Sequence, residues 1–277
     1  MSRVQVVTDS ASDLSLELAR ANAVVVVPLT VRFGPEELSS WPDLLPGDFW
    51  ARCKASPTLP ETAAPSPGAF AEVYRKAAAD GCDGVVCITL SSDMSATHQA
   101  AQAGAQDSPV PVRVVDSRSV TMGEGLIVLE AAEAAASGAD VDTVARRAEA
   151  CIPRTSVYGV VDTLEHLEKG GRIGGARVLL GSLLSIKPVV QVRDGVVGEE
   201  SKQRTRARSL RYLADKVHTT ANLERLAVVD GAAEDLDTFL AMLGEAVPVP
   251  PTVVDLGPVV GTHTGPGTIG VCMLRRA

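Results

Sequence analysis

A histidine, two hydroxyl residues and a set of arginines form the chemically useful inventory of this chain. GTHTGPGTIG (261–270) sets His263 between two threonines, and its glycines match Gly-x-Gly-x-x-Gly at Gly265, Gly267 and Gly270. LSSDMSATHQAA (90–101) places Ser95 at the expected start of a helix, where a hydroxyl and free first-turn amides hold an anion. The same serine serves equally as an ordinary helix cap. Thr62 in ETAAPSPGAF precedes a rigid Pro-containing segment that fixes its position. Arg172, framed by glycines in GGRIGG, is expected to reach outward, and KQRTRARSLR gathers Lys202, Arg204, Arg206, Arg208 and Arg211 at a helix start. Hydroxyls, an imidazole and local basic patches in an acidic chain suit an anionic ligand or partner, although a charge run is also what a solvated helix face looks like.

Two enzymatic readings are weaker. A dinucleotide fingerprint joins a strand to a helix inside a βαβ unit, with an acidic residue about 20 positions further on. Here only seven residues follow Gly270, and GVCMLRR reads as a strand. A Ser–His hydrolase built on Ser95 and His263 remains an alternative, but no G-x-S-x-G elbow occurs and no aspartate is evidently paired with His263.

The elements that must position these residues alternate. VQVVTD (4–9) reads as a strand, and Ser12 or Asp13 caps a helix through Asn22. AVVVVPLTVRF (23–33) reads as one buried, continuous strand, and 34–62 as an irregular excursion holding a short helix. Helices over 67–80, 95–106 and 123–137 then alternate with strands over 84–90 and 112–116, the signature of a mostly parallel sheet covered by helices. From about 155 the rhythm changes: an Asp194-Gly195 turn between apolar runs marks an antiparallel hairpin. Helices over 204–220 and 233–245 and strands over 225–230, 251–256 and 268–274 complete the pattern. The expected fold is α/β, with an N-terminal parallel-sheet α/β/α domain (1–154) and a C-terminal α+β domain (155–277). In such sheets ligands collect beyond the strand C-termini, so Thr8-Asp9-Ser10, Ser91–Ser95 and Asp116-Ser117 are the positions to inspect.

Composition narrows the function classes. A net charge of −8 and 3% aromatic residues argue against nucleic-acid binding, which needs a positive surface and stacking platforms. Cys53, Cys82, Cys87, Cys151 and Cys272 have no zinc-ligand spacing, so reduced thiols and no metal are expected. Charge comes too early for a signal peptide, and no apolar run reaches the roughly 18 residues of a membrane span. A soluble, cytoplasmic protein is the expectation.

Taken together, VTDSASDLS (7–15), TAAPSPGAF (62–70), LSSDMSATHQAA (90–101), VDSRSVTMGEG (115–125), DTLEHLEKGGRI (162–173), LLSIKP (183–188), KQRTR (202–206) and HTGPGTIG (263–270) resemble the DegV family of bacterial fatty-acid-binding proteins almost end to end. The resemblance implies a long-chain fatty acid buried between two domains, with its carboxylate clasped by residues matching Thr62, Ser95 and His263. It implies no cofactor and no ATP site on this chain. It also implies a partner, a kinase subunit related to dihydroxyacetone kinases, which converts the acid to an acyl phosphate for phospholipid metabolism, with Arg172 and Arg204 supporting that reaction. A stand-alone carrier with no kinase partner is the alternative within the family. Two departures lie near the head group: the usual Thr-Ser-x-Pro-Ser is Thr62-Ala63-Ala64-Pro65-Ser66, and the usual Leu-Ser-Gly-Thr is Met94-Ser95-Ala96-Thr97.

Overall fold

A computed structural model describes residues 2–178, 186–244 and 247–277; residues 183–185 of LLSIKP and Glu245 lie outside them. In chain order the elements are β1 (Val4–Asp9), α1 (Leu16–Ala21), β2 (Val25–Val27), β3 (Thr30–Phe33), β4 (Glu36–Ser39), α2 (Pro46–Ala55), β5 (Glu61–Ala63), α3 (Pro67–Ala79), β6 (Gly84–Thr89), α4 (Thr97–Gly104), β7 (Val112–Asp116), α5 (Met122–Ala136) and α6 (Val141–Cys151). They continue with β8 (Thr155–Val160), α7 (Glu165–Lys169), β9 (Lys187–Arg193), β10 (Val196–Gln203), α8 (Arg206–Thr219), β11 (Leu223–Gly231), α9 (Leu236–Leu243), β12 (Thr252–Asp255), α10 (Pro258–Thr264) and β13 (Thr268–Arg275).

The strands build a parallel sheet ordered β2-β1-β6-β7, a mixed sheet ordered β10-β9-β8-β13-β11-β12 and a small antiparallel sheet ordered β4-β3-β5. Phe70, Tyr74 and Ala77 of α3, with Ala100 and Ala101 of α4, cover one face of the parallel sheet. Its other face packs on α5 and α6, and α5 packs in turn on the inner face of the mixed sheet through Ala227, Val229, Cys272 and Leu274. Buried on two sides, α5 is apolar nearly all round, as such a position demands. Helices α8 and α9 cover the far face of the mixed sheet through Leu210, Leu213, Val217 and Phe239. The layers therefore run helix, sheet, helix, sheet, helix. The chain passes from the first large sheet to the second at β8, where the expected 154/155 division falls, yet one apolar core runs across it.

Several expectations need correction. The 23–33 segment is two strands, because Pro28 has no N–H for a ladder: β2 extends the parallel sheet, and β3 turns away into the small sheet. The 34–62 excursion is more regular than expected, holding β4, α2 and β5, with Thr62 opposite Val31. The first helix is capped by Ser15, which accepts from Leu18 N–H at 3.1 Å, not by Ser12 or Asp13. Helix α4 begins one residue beyond Ala96, so Ser95 is not its cap. The 261–270 glycine segment opens on a helix, α10. The hairpin turn is as the Asp-Gly pair requires, with φ of 51° at Asp194 and 81° at Gly195.

Candidate functional site

Between the inner face of the mixed sheet and the elements facing it lies a cavity of about 910 Å³, its mouth included. Leu29, Leu90, Val157, Val192, Val229 and Val259 are among its aliphatic walls, and Thr62, Ser95, Arg172 and His263 line it as well. Four of the five residues singled out by sequence thus share one cavity. The fifth, Arg204, does not line it and is exposed at the approach to α8.

His263 sits on the last turn of α10, which ends at Gly265 with φ +80°. Glycine serves there twice: it adopts the left-handed backbone, and a Cβ would lie 2.7 Å from Cδ2 of His166. His263 Nε2 lies 2.8 Å from Thr62 Oγ1, whereas its buried Nδ1 has no hydrogen-bond partner among the described residues. Nδ1 faces Gly170, where any Cβ would collide with the ring. Burial, then the nearby Arg172 and His166, push the imidazole from 6.5 down to about 4, so His263 is neutral at physiological pH.

Ser95 lies in the turn that follows β6, where its N–H and that of Met94 both donate to Ser91 O, at 3.2 and 3.0 Å. Its Oγ is 2.9 Å from Thr97 Oγ1 and accepts from Thr97 N–H at 3.3 Å. Ser95 therefore bonds to Thr97 and not to His263, and among the described residues no carboxylate reaches His263. The catalytic geometry of a Ser–His–acid hydrolase is not assembled here.

Arg172 does not reach outward as its glycine frame suggested. Its Nε donates to Met94 O at 3.1 Å and its Nη1 to Gly170 O at 2.7 Å, which folds the guanidinium over the polar end of the cavity. In the arginine-rich stretch, Arg206 is consumed by structure: it donates to both Asp235 oxygens, to Asp162 at 2.8 Å and to Gly267 O at 2.7 Å. Arg204, Arg208 and Arg211 remain exposed.

Most of the polar strand ends serve a different purpose. Asp9 accepts from Ala11 N–H and Leu90 N–H at 2.9 Å each, and so fixes the entry to the turn carrying Ser95. Asp13 accepts from the Thr121 hydroxyl at 2.6 Å and from Gly257 N–H at 3.1 Å, and so fixes the start of the helix carrying His263. Ser10 accepts from Leu29 N–H, and Asp116 accepts from Ser92 and Arg118. Glu124, fully buried on α5, accepts from Thr8 at 2.8 Å and lies against Asp9. Desolvation raises Asp9 and Asp13 from 3.8 to about 7, and Glu124 higher than its usual range. Sequence reasoning marked Asp9 as a strand-end residue; Glu124, inside an apolar helix, was the signal it passed over.

Among the described residues no cluster of His, Cys, Asp and Glu could hold a metal, and no helix is long and apolar enough to cross a membrane. The five cysteines are free thiols, four of them buried.

Comparison with known proteins follows the same lines. A DegV domain-containing protein of Streptomyces coelicolor is 38% identical over 283 residues, covering 100% of both chains. A DegV family protein from Thermus thermophilus, described by its fatty acid binding, superposes with a TM-score of 0.90 at 32% identity over 99% of this chain and 100% of its own. A stearic-acid-binding protein from Eubacterium ventriosum superposes with a TM-score of 0.89 at 26% identity, over 99% and 98%. With residues 3–276 matching the model of the family described as "Uncharacterised protein, DegV family", and with this architecture and motif order, the chain belongs to the DegV family.

Proposed function

We propose that this protein binds a long-chain fatty acid, its acyl chain in the aliphatic cavity and its carboxylate among Thr62, Ser95 and His263. The observation that carries this reading is the gathering of those donors and Arg172 at a cavity whose other walls are largely Val and Leu. Burying a lone carboxylate is costly unless donors replace its water. The tautomer with the proton on Nε2 supplies a relay: His263 donates to Thr62 Oγ1, which frees the Thr62 hydroxyl proton for the ligand. Ser95 supplies a second hydroxyl, and the Arg172 guanidinium adds positive charge, with no carboxylate partner among the described residues.

The bound acid is the substrate of a separate, ATP-dependent kinase subunit in the cytoplasm. A carboxylate oxygen attacks the γ-phosphorus of ATP, the bond to the β-phosphate oxygen breaks, and ADP leaves an acyl phosphate behind. Neutral donors leave the carboxylate nucleophilic, which a tight ion pair would not. Phosphoryl transfer depends on positioning and positive charge about the migrating group; Arg172 at the cavity and Arg204 on the exposed approach to α8 are the residues assigned to it.

Extraction of the purified protein followed by mass spectrometry tests the binding. A long-chain acid at about one per chain is expected; a protein that yields none and takes up no fluorescent fatty acid overturns the reading. Incubation with ATP and a dihydroxyacetone-kinase-like subunit tests the second step, and bound acid that is never phosphorylated leaves a stand-alone carrier.

A further inference from the structure

Two glycines face each other at the floor of the cavity. Gly159 of β8 and Gly270 of β13 are directly paired across the antiparallel ladder, flanked in the same row by Val190 and Val229. Glycine weakens a strand interior by roughly 0.5–1 kcal/mol relative to alanine, so a pair at the middle of a six-stranded sheet calls for a reason.

Neither usual reason applies. Both residues lie outside the positive-φ set, so any side chain suits their backbone. Neither is hemmed in: a Cβ at 159 would meet Val190 Cγ2 at 3.7 Å, and one at 270 would meet Tyr158 O at 3.4 Å and Val229 Cβ at 3.6 Å, all ordinary contacts. Other buried glycines do have a steric reason, as at Gly104, where a Cβ would lie 2.6 Å from Pro67 O. At 159 and 270 the added atoms would enter only the cavity.

We propose that the paired Gly159 and Gly270 set which acyl chains fit, by leaving bare backbone as the floor on which the chain crosses the sheet between Val190 and Val229. This rests on the fatty-acid reading above and names the part of the site that reads chain length. The donor-lined end binds any carboxylate; the depth over the glycines admits the long tail beyond it. Side chains placed there displace methylenes, and each methylene kept out of the cavity loses about 0.8 kcal/mol, roughly fourfold in affinity.

The test is competition binding of saturated acids from octanoate to octadecanoate against a fluorescent fatty acid, with wild type, Gly270→Ala, Gly159→Val and Gly270→Val, alongside thermal denaturation. The alanine variant keeps its fold and weakens octadecanoate by roughly fourfold, about one methylene. Each valine variant weakens octadecanoate on the order of 50-fold, about three methylenes, and shifts the preferred length downward while octanoate changes little. Folded variants that bind octadecanoate within twofold of wild type overturn the floor and leave the fatty-acid reading standing. A wild type that binds none of the acids overturns both. Equal loss at every length places the effect on the head group and overturns the floor as well.

Discussion

Glu124→Gln isolates the buried carboxyl group that the cavity does not use. Glu124 Oε1 accepts from Thr8, while Oε2 is buried and, among the described residues, without a partner unless a proton joins it to Asp9. The native pair therefore holds a proton that an unfolded glutamate, titrating near 4.5, has released. The sign follows from linkage: where the native state binds more protons, stability falls as pH rises, at about 1.36 kcal/mol per pH unit for one proton. Burial, then the neighbouring Asp9, hold that proton well above the usual glutamate range, so wild type loses stability through this group as pH rises above 4.5. Glutamine keeps the shape, accepts from Thr8 and donates to Asp9, but carries no titrating proton. Urea denaturation of both proteins across that range measures the difference, in which titrating groups remote from Glu124 cancel and the bonded Asp9 counts with it as one pair. The variant should gain on wild type as pH rises from 5.5 to 7.5, by at most about 1.36 kcal/mol for each pH unit. Parallel pH profiles, or a variant less stable by the same amount at every pH, would refute the shared proton.

Three further outcomes concern the cavity. His263→Ala removes the donor that frees the Thr62 hydroxyl for the carboxylate and Ser95→Ala removes a hydroxyl of the clasp, each a loss of roughly 1.5–3 kcal/mol that should appear as a 10- to 150-fold weaker fatty-acid affinity in competition binding. Arg172→Ala should weaken acid retention as well as phosphorylation, because its guanidinium lines the cavity, whereas Arg204→Ala should leave retention unchanged and impair phosphorylation alone. Gly170→Ala should displace the His263 ring and weaken binding about as much as His263→Ala, and it should move the His263 titration seen by NMR upward from about 4, since the ring loses its burial.

The motif residues were legible because their chemistry is local. Hydroxyl and acidic residues just past apolar β-branched runs mark strand ends, and the Asp194-Gly195 pair selects its own turn. What they bond to was not legible. Thr62 meets His263 across 201 positions, through a small sheet that exists because Pro28 diverts the chain after β2. Nothing in QRTRARSLR distinguishes Arg206 from Arg204; the difference is made by Asp162 and Asp235, which lie on other elements. Arg172 turned inward for a similar reason, since the carbonyls of Met94 and Gly170 stand within reach. Ser95 lost its cap role because the turn from Ser91 postpones α4 by one residue.

The two acidic side chains of TDSASD explain how the proposed anion site can be built with so little cationic charge. Asp9 holds Leu90, five residues before Ser95, and Asp13 holds Gly257, six before His263. Both bonds are to backbone amides, so the two arms of the clasp are positioned by buried hydrogen bonds rather than by charge on the donors themselves. Such bonds are stronger in a low-dielectric interior, and breaking one strands a buried polar group. The donors that meet the ligand can then stay neutral: two hydroxyls, the one on Thr62 backed by an imidazole whose pKa is held near 4. In the proposed site rigidity substitutes for charge, and a carboxylate held this way would keep the electron density that the proposed attack on phosphorus requires.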